Sequence, residues 1–315
     1  MARPRSSRGP DDVVSAPASA PQVAPRGSLL LGLWTLARPR QWLKNALVLA
    51  APGAAGVLTD PGVLALTAVG FACFCLAASG TYYLNDAFDA HADRLHPRKR
   101  HRPVAAGTVP VTLAKVLGGG LVVGSVVAAG TVANAELAAV LSGYVVLMGA
   151  YSGWLKQVPV VELAVVASGF IFRAIAGGVA TDVPLSRWFV IVVSFASLFV
   201  VVGKRFAEQA TLGDGSEQHR SSLGEYSPAF LQLVGAISAA VAIIAYCLWA
   251  LTRAGGGMLW YELSIAPFVL GMLHYALQAE KGRAGAPEEV FLKDRTLQVL
   301  GLLWAVLFAA GVYGP

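Results

Sequence analysis

The chain has 315 residues, of which 56% are hydrophobic and only 13% charged, against about 25% charged in an ordinary soluble domain. So few charges cannot cover a water-facing surface, which excludes a soluble globular protein and makes lipid the solvent for most of the chain. The net charge of +6 does not read as a nucleic-acid footprint, because the basic residues cluster between apolar runs.

In chain order, residues 1–27 are rich in Pro, Ala, Ser and Arg and hold too little apolar surface to fold. A disordered tail is expected there, followed by one membrane domain over 28–315. The charged lead before the first long apolar run extends through Lys44, far longer than the n-region of a signal peptide. A spanning helix needs about 20 apolar residues. Stretches free of Lys, Arg, Asp and Glu fall at 45–59, 61–85, 116–135, 137–155, 188–203, 226–252, 263–279 and 296–315. A further run, 157–181, is broken only by Glu162 and Arg173. The expectation is an all-α membrane protein, a bundle of about nine transmembrane helices with a cytoplasmic polar cap. Cys73, Cys75 and Cys247 lie inside apolar runs and read as small buried side chains, without disulfide or zinc spacing.

Placing the N-terminus inside puts 21 Lys and Arg residues on the cytoplasmic side and only Arg187 and Arg253 outside. The positive-inside rule then predicts N-terminus in and C-terminus out, in the inner (plasma) membrane. The long polar segments are all cytoplasmic, so chemistry belongs on that face.

The most informative of them follows the second run: N-D-A-F-D-A-H-A-D-R-L-H-P-R-K-R-H-R-P at 85–103. If the helix continues, Asn85, Asp89 and Asp93 sit at successive i+4 positions, with Asp86 and Tyr82 close by. Hard oxygen ligands of this kind suit Mg²⁺, which takes a few carboxylates together with substrate phosphates and water. Arg98, Lys99, Arg100 and Arg102 follow at once, and acid to hold metal beside base to hold phosphate is what a metal-diphosphate site needs. The bland alternative is a solvated loop of mixed charge. His91, His96 and His101 are five apart, which is wrong for a histidine metal site on one helix face. Pro97 and Pro103 should end the helix.

Other polar residues point to the same side. Lys44 opens the first run and Lys156 closes the fourth; each reads equally as a phosphate contact or a topology anchor. Lys204 and Arg205 close the sixth run, with Glu208 one turn on. Arg173 lies inside the fifth candidate helix of the bundle, where an arginine is expensive and faces a polar cavity; a phosphate clamp is favoured over a structural ion pair. Glu162, about 16 Å away along the axis, is too far to be its partner.

These residues resemble the UbiA-type intramembrane prenyltransferase superfamily. The resemblance rests first on the N-D-x-x-D-x-x-x-D pattern at 85–93. R-P-R-Q-W-L-K-N at 38–45, I-F-R-A-I-A-G-G-V-A-T at 171–181 and G-K-R-F-A-E at 203–208 bring it closest to the branch that moves phosphoribose onto polyprenyl (decaprenyl) phosphate. The similarity covers nearly everything after residue 30. It implies transfer of 5-phosphoribose from 5-phosphoribosyl 1-diphosphate to the lipid phosphate, with release of diphosphate, toward a cell-wall arabinan precursor. It implies Mg²⁺ on Asn85 and Asp89 with Asp86 and Asp93 assisting, so Asp86, Asp89 and Asp93 are the catalytic set. Lys44, Tyr82, Lys99, Arg102, Lys156, Arg173, Lys204 and Arg205 are the expected substrate contacts. One departure matters: the 204–226 segment lacks the second aspartate pair of the aromatic prenyltransferases, and its added Lys-Arg suits a substrate with another phosphate.

Two other readings stay open. A prenyltransferase with a prenyl diphosphate donor and an aromatic acceptor would use the same metal site, though the missing aspartate pair counts against it. A transporter would need polar groups at both faces and an inverted repeat, and neither is evident. Prenyl length, the number of Mg²⁺ ions and any homo-oligomer are not written in the sequence.

Overall fold

Every long apolar run in the sequence becomes an α-helix except the first. The computed structural model describes residues 28–97, 99–212, 225–252 and 258–314; the tail 1–27, Arg98 and most of the 204–226 segment lie outside the described residues. In order, α1 (Leu29–Ala37) leads into a 3₁₀ segment (Pro39–Leu49) and a single turn, α2 (Ala50–Ala54). Next come α3 (Pro61–Phe88), α4 (Ala90–Leu95), α5 (Val111–Ala128) with a π turn (Ala129–Ala133), α6 (Ala135–Gly153), α7 (Val161–Ala180) and α8 (Arg187–Leu212). The order ends with α9 (Pro228–Leu251), α10 (Met258–Glu280), α11 (Pro287–Lys293) and α12 (Arg295–Tyr313). No strand occurs among the described residues.

Capping chemistry sets the helix starts. The Asp60 carboxylate accepts from the Gly62 and Val63 N–H groups at the head of α3, and Asp294 accepts from Leu297 at the head of α12. Asn134 and Ser227 do the same for α6 and α9. Such caps are worth about 1 kcal/mol each.

Among the described residues, seven helices are long and apolar enough to cross a membrane: 61–88, 111–133, 135–153, 161–180, 187–210, 228–251 and 295–313. The run expected at 263–279 lies in α10, 23 residues long, where Glu262, His274, Gln278 and Glu280 dilute the apolar character and keep it outside that set. The run expected at 45–59 is not one continuous α-helix: it is 3₁₀ to Leu49 and α-helical only over the turn α2. Arg38 takes a left-handed conformation (φ 52°, ψ 58°) before Pro39, and the chain winds on as 3₁₀.

That 3₁₀ segment runs beside α3 in a measurable register. Trp42 donates to Ser79 (3.1 Å), Asn45 to the Cys75 sulfur (3.2 Å) and Val48 packs at Gly70. Six residues of 3₁₀ thus match nine of α3, or about 13.5 Å of α-helical rise. The implied rise is about 2 Å per residue, as expected for 3₁₀. A short run therefore travels as far as a longer α-helix.

Close packing seats the segment. A methyl group at Gly177 of α7 would overlap the Val48 carbonyl oxygen, so only glycine lets the backbones approach this closely, the membrane use of small residues. Val48, Phe74, Leu141, Tyr144 and Ala176 then form one core cluster.

Candidate functional site

The acidic motif does not continue as one helix. α3 stops at Phe88 with Asp89 as its cap, and α4 restarts at Ala90. His96, extended before Pro97 (φ −87°, ψ 130°), ends α4 as a pre-proline residue should. Backbone bonds from Asp89 N to the Asn85 carbonyl (2.9 Å) and from Asp93 N to the Asp89 carbonyl (2.8 Å) bridge the break and keep the helical spacing of Asn85, Asp89 and Asp93. The residues that converge are Asp86 and Asp93, seven apart, and both are buried. Arg102 Nη1 bonds Asp93 Oδ2 (2.8 Å) and Asp86 Oδ1 (3.2 Å), and Arg38 Nη2 bonds Asp86 Oδ1 (2.8 Å). Arg38 also stacks over the Tyr82 ring at 4.4 Å. Two arginines and two aspartates thus lock the break after α1 to the end of α3, and Arg38, Arg102 and Asp86 border a cavity of about 400 Å³ that Thr35, His101 and Pro103 complete.

Asn85 and Asp89 differ. Both are half-buried, and their side chains make no hydrogen bond or ion pair among the described residues. Their oxygens are free to bind a cation. No group of three or more acidic, His or Cys side chains able to hold a metal occurs among the described residues. The donor set fits Mg²⁺ shared with substrate oxygens and water, and it does not fit a cage built by protein alone.

Cations gather around the 3₁₀ segment. Lys44 Nζ donates to Gln41 Oε1 (2.5 Å) and lies 3.4 Å from Glu288 Oε2. Burial pulls the Lys44 ammonium below the usual lysine range, Lys204 and Arg173 add to that, and Glu288 opposes it. Burial works against the Glu288 charge, yet Lys44, its own backbone N–H and Gln41 outweigh it and hold the carboxyl below its usual range. Lys204 lies 3.8 Å from Glu208. Tyr82 is within electrostatic reach of Arg173, Arg38 and Glu288. Lys44, Tyr82, Arg173 and Lys204 therefore share one neighbourhood, and α11 closes it with Glu288.

Arg173 is buried and fully dressed. It donates to Asn45 Oδ1 (2.6 Å), Tyr144 Oη (3.3 Å) and the Gly169 carbonyl, and it sits 5.0 Å from the Tyr144 ring centre and 5.5 Å from that of Phe74. All of these partners are neutral, so the charge itself stays uncompensated by any carboxylate among the described residues.

Arg205 is placed elsewhere. Its guanidinium makes a two-pronged bond to the wholly buried Glu162 (2.9 and 2.7 Å) and a third to Glu208 (2.7 Å). It rivets α8 to the start of α7 and spends three of its five N–H donors on carboxylates. Glu162 thus finds its partner on another helix. Lys99 is exposed and Lys156 half-buried, each away from the Lys44 cluster's hydrogen bonds.

Sequence reasoning missed Gln41, Asn45 and Glu288. Asn45 and Gln41 stand inside the R-P-R-Q-W-L-K-N segment. Glu288 had one signal, an acidic pair directly after Pro287 just before the last run.

Comparison with known proteins identifies the family. Residues 46–305 match the model of the UbiA prenyltransferase family. A decaprenyl-phosphate phosphoribosyltransferase of Mycolicibacterium smegmatis is 44% identical over 306 residues, 93% of this chain and 96% of the relative. One from Corynebacterium glutamicum is 41% identical over 92% of this chain and 89% of the relative. The solved UbiA homolog from Archaeoglobus fulgidus, bound to DMAPP and Mg²⁺, superposes with a TM-score of 0.67 at 16% identity, over 90% of this chain and 98% of that one. With the seven apolar helices these matches make it a multi-pass membrane protein, and this chain belongs to the UbiA prenyltransferase family.

Proposed function

We propose that this chain is a Mg²⁺-dependent phosphoribosyltransferase that moves 5-phosphoribose from 5-phosphoribosyl 1-diphosphate to a polyprenyl phosphate and releases diphosphate. The observation that carries the reading is similarity along nearly the whole chain to relatives called decaprenyl-phosphate phosphoribosyltransferase. The Lys44, Lys204 and Arg173 cluster supports it, because a donor with a 5-phosphate as well as a diphosphate carries more negative charge than a prenyl diphosphate.

Asn85 and Asp89 would hold Mg²⁺, which when bound supplies neutralisation of the departing diphosphate. Lys44 and Lys204 contact the phosphates directly. Arg173 gives a fixed positive field from deeper in the bundle, effective because its environment is apolar. Lys99, Lys156 and Tyr82 line the approach. Arg38 and Arg102 hold Asp86 and Asp93, and so fix where α3 ends and where Asp89 points. Arg205 sets the end of α8 and with it Lys204. The lipid phosphate is already an anion and needs no strong base to attack C1 of the ribose. C1 gains oxocarbenium character as at other glycosyl centres, and the protein's work is positioning and electrostatics.

The 3₁₀ segment after Lys44 is the first of nine crossings and α10 the eighth, in one domain over 28–315. The N-terminus and the site face the cytoplasm, the positive side of the inner membrane. The product serves cell-wall arabinan synthesis.

The test is a labelling assay with purified protein. Label from 5-phosphoribosyl 1-diphosphate should enter the lipid fraction with Mg²⁺ and not after chelation. Label that stays in water, while prenyl diphosphate is consumed with an aromatic acceptor, would overturn the reading.

A further inference from the structure

We propose that Glu288 and Gln41 form a clamp that positions the Lys44 ammonium, so that the C-terminal part of the chain helps build the phosphate contact of the first segment. The inference rests on the reading of Lys44 as a phosphate contact. Three side chains close a ring. Lys44 donates to Gln41 Oε1 (2.5 Å), Gln41 Nε2 donates to Glu288 Oε1 (2.6 Å), and Glu288 Oε2 faces Lys44 at 3.4 Å. The polarity is consistent, since an ammonium only donates, a carboxylate only accepts and an amide does both. Gln41 precedes Lys44 by three residues, and in a 3₁₀ segment positions i and i+3 eclipse. The winding of 39–49 therefore sets the amide over the ammonium. Glu288 arrives 247 residues later in sequence, on α11, where Pro287 sets the first helical position.

Lys44 needs such a clamp. Its stem has four rotatable carbons, and the groups that act on it from the packed elements are Lys204 on α8, Arg173 on α7 and Glu288 on α11. Two of these three repel an ammonium. Without Glu288 the side chain would swing away or lose its proton. Glu288 itself faces Lys44, Lys204, Tyr82 and Tyr275. Its Oε2 is buried without a hydrogen bond, because the 3.4 Å approach to Lys44 is ionic and poorly aligned. A buried carboxylate oxygen left short of a donor is destabilising, and the positioning of Lys44 accounts for its retention. An ammonium has three donors and only Gln41 accepts a hydrogen bond from this one, so two remain for phosphate oxygens.

The signs follow. The Lys44 charge is lost as pH rises through a value below the ordinary lysine range near 10.4. Neutralising Glu288 moves that loss to lower pH still. The Glu288 charge persists to below its ordinary range and fails only as pH falls through that lowered value.

The test compares wild type, Glu288→Gln, Glu288→Asp, Lys44→Arg and the double variant Lys44→Arg/Glu288→Gln. Glu288→Gln should raise KM for 5-phosphoribosyl 1-diphosphate about tenfold, the loss of one charge-assisted contact. It should leave KM for polyprenyl phosphate unchanged and move the alkaline limb of kcat/KM to lower pH. Glu288→Asp should recover part of the loss. Lys44→Arg should remove the limb, and adding Glu288→Gln to it should cost far less than in wild type. Equal rises in both KM values, an unmoved limb or additive losses would each overturn the clamp. If Lys44→Arg and Lys44→Ala both leave KM for the diphosphate unchanged, the phosphate reading of Lys44 fails. The clamp is then judged by thermal melting in detergent, where non-additive effects of Lys44→Ala and Glu288→Gln uphold it and additive ones overturn it.

Discussion

Carboxylates that look alike along the sequence differ in what they touch. Asp86 and Asp93 are buried against Arg38 and Arg102, Glu162 against Arg205, and Asp89 keeps its oxygens free. Two substitutions should therefore behave oppositely. Asp89→Ala should leave the thermal melt of the detergent-solubilised protein unchanged and lower transfer at least about 100-fold, the scale of a lost metal contact. Arg205→Ala leaves the Glu162 charge, 0% exposed, without its partner, and should cost about 3–5 kcal/mol of stability. Full activity in the first variant would remove the metal assignment; an unshifted melt in the second would remove the structural role of the buried pair. The identities of these residues were legible in the motif. Their division of labour was not, because a guanidinium can serve a substrate phosphate or a buried carboxylate equally well until its neighbours are known.

At the scale of elements, the site depends on a helix that is wound too tightly. The 3₁₀ segment Pro39–Leu49 carries Gln41, Lys44 and Asn45, and it can lie against α7 only because Gly177 has no side chain. Gly177→Leu should push the segment outward, lower thermal stability by about 1–3 kcal/mol as an overpacked core does, and weaken the diphosphate contact together with it. The check is a melt and a KM on the same preparation; a normal KM would show that the segment is not held by that contact. Composition predicted an apolar run here and could not predict its winding. The choice between α and 3₁₀ follows from Arg38–Pro39 at its start and from the length of α3 beside it, which a short run must match.

For the whole molecule, the argument is one of sidedness. The contacts between Lys44 and Glu288, Arg38 and Asp86, and Arg205 and Glu162 draw the end of α3, the end of α8, the start of α7 and α11 to one end of the bundle. If that end is cytoplasmic, a cysteine at Lys99 should resist a membrane-impermeant maleimide in intact cells while one at Thr59, beyond the far end of α3, should react. Reaction at residue 99 from outside would invert the proposed topology. Of the native thiols Cys73 and Cys75 are buried and Cys247 is half-buried, so the cysteine variants also carry Cys247→Ser to remove its background.

Hydropathy, charge asymmetry and the 85–103 motif determined that this is a helical membrane protein of this family with acidic and basic groups side by side. Those properties are local, set by transfer free energy along a run and by residue type in a short motif, so a linear reading reaches them. Tertiary structure alone decided which charges meet. Glu162 and Arg205 are 43 residues apart and Gln41 and Glu288 are 247 apart, and no local rule pairs groups at such separations. Burial then turns each meeting into a constraint, because a charge shielded from water must be matched by a partner that folding brings to it.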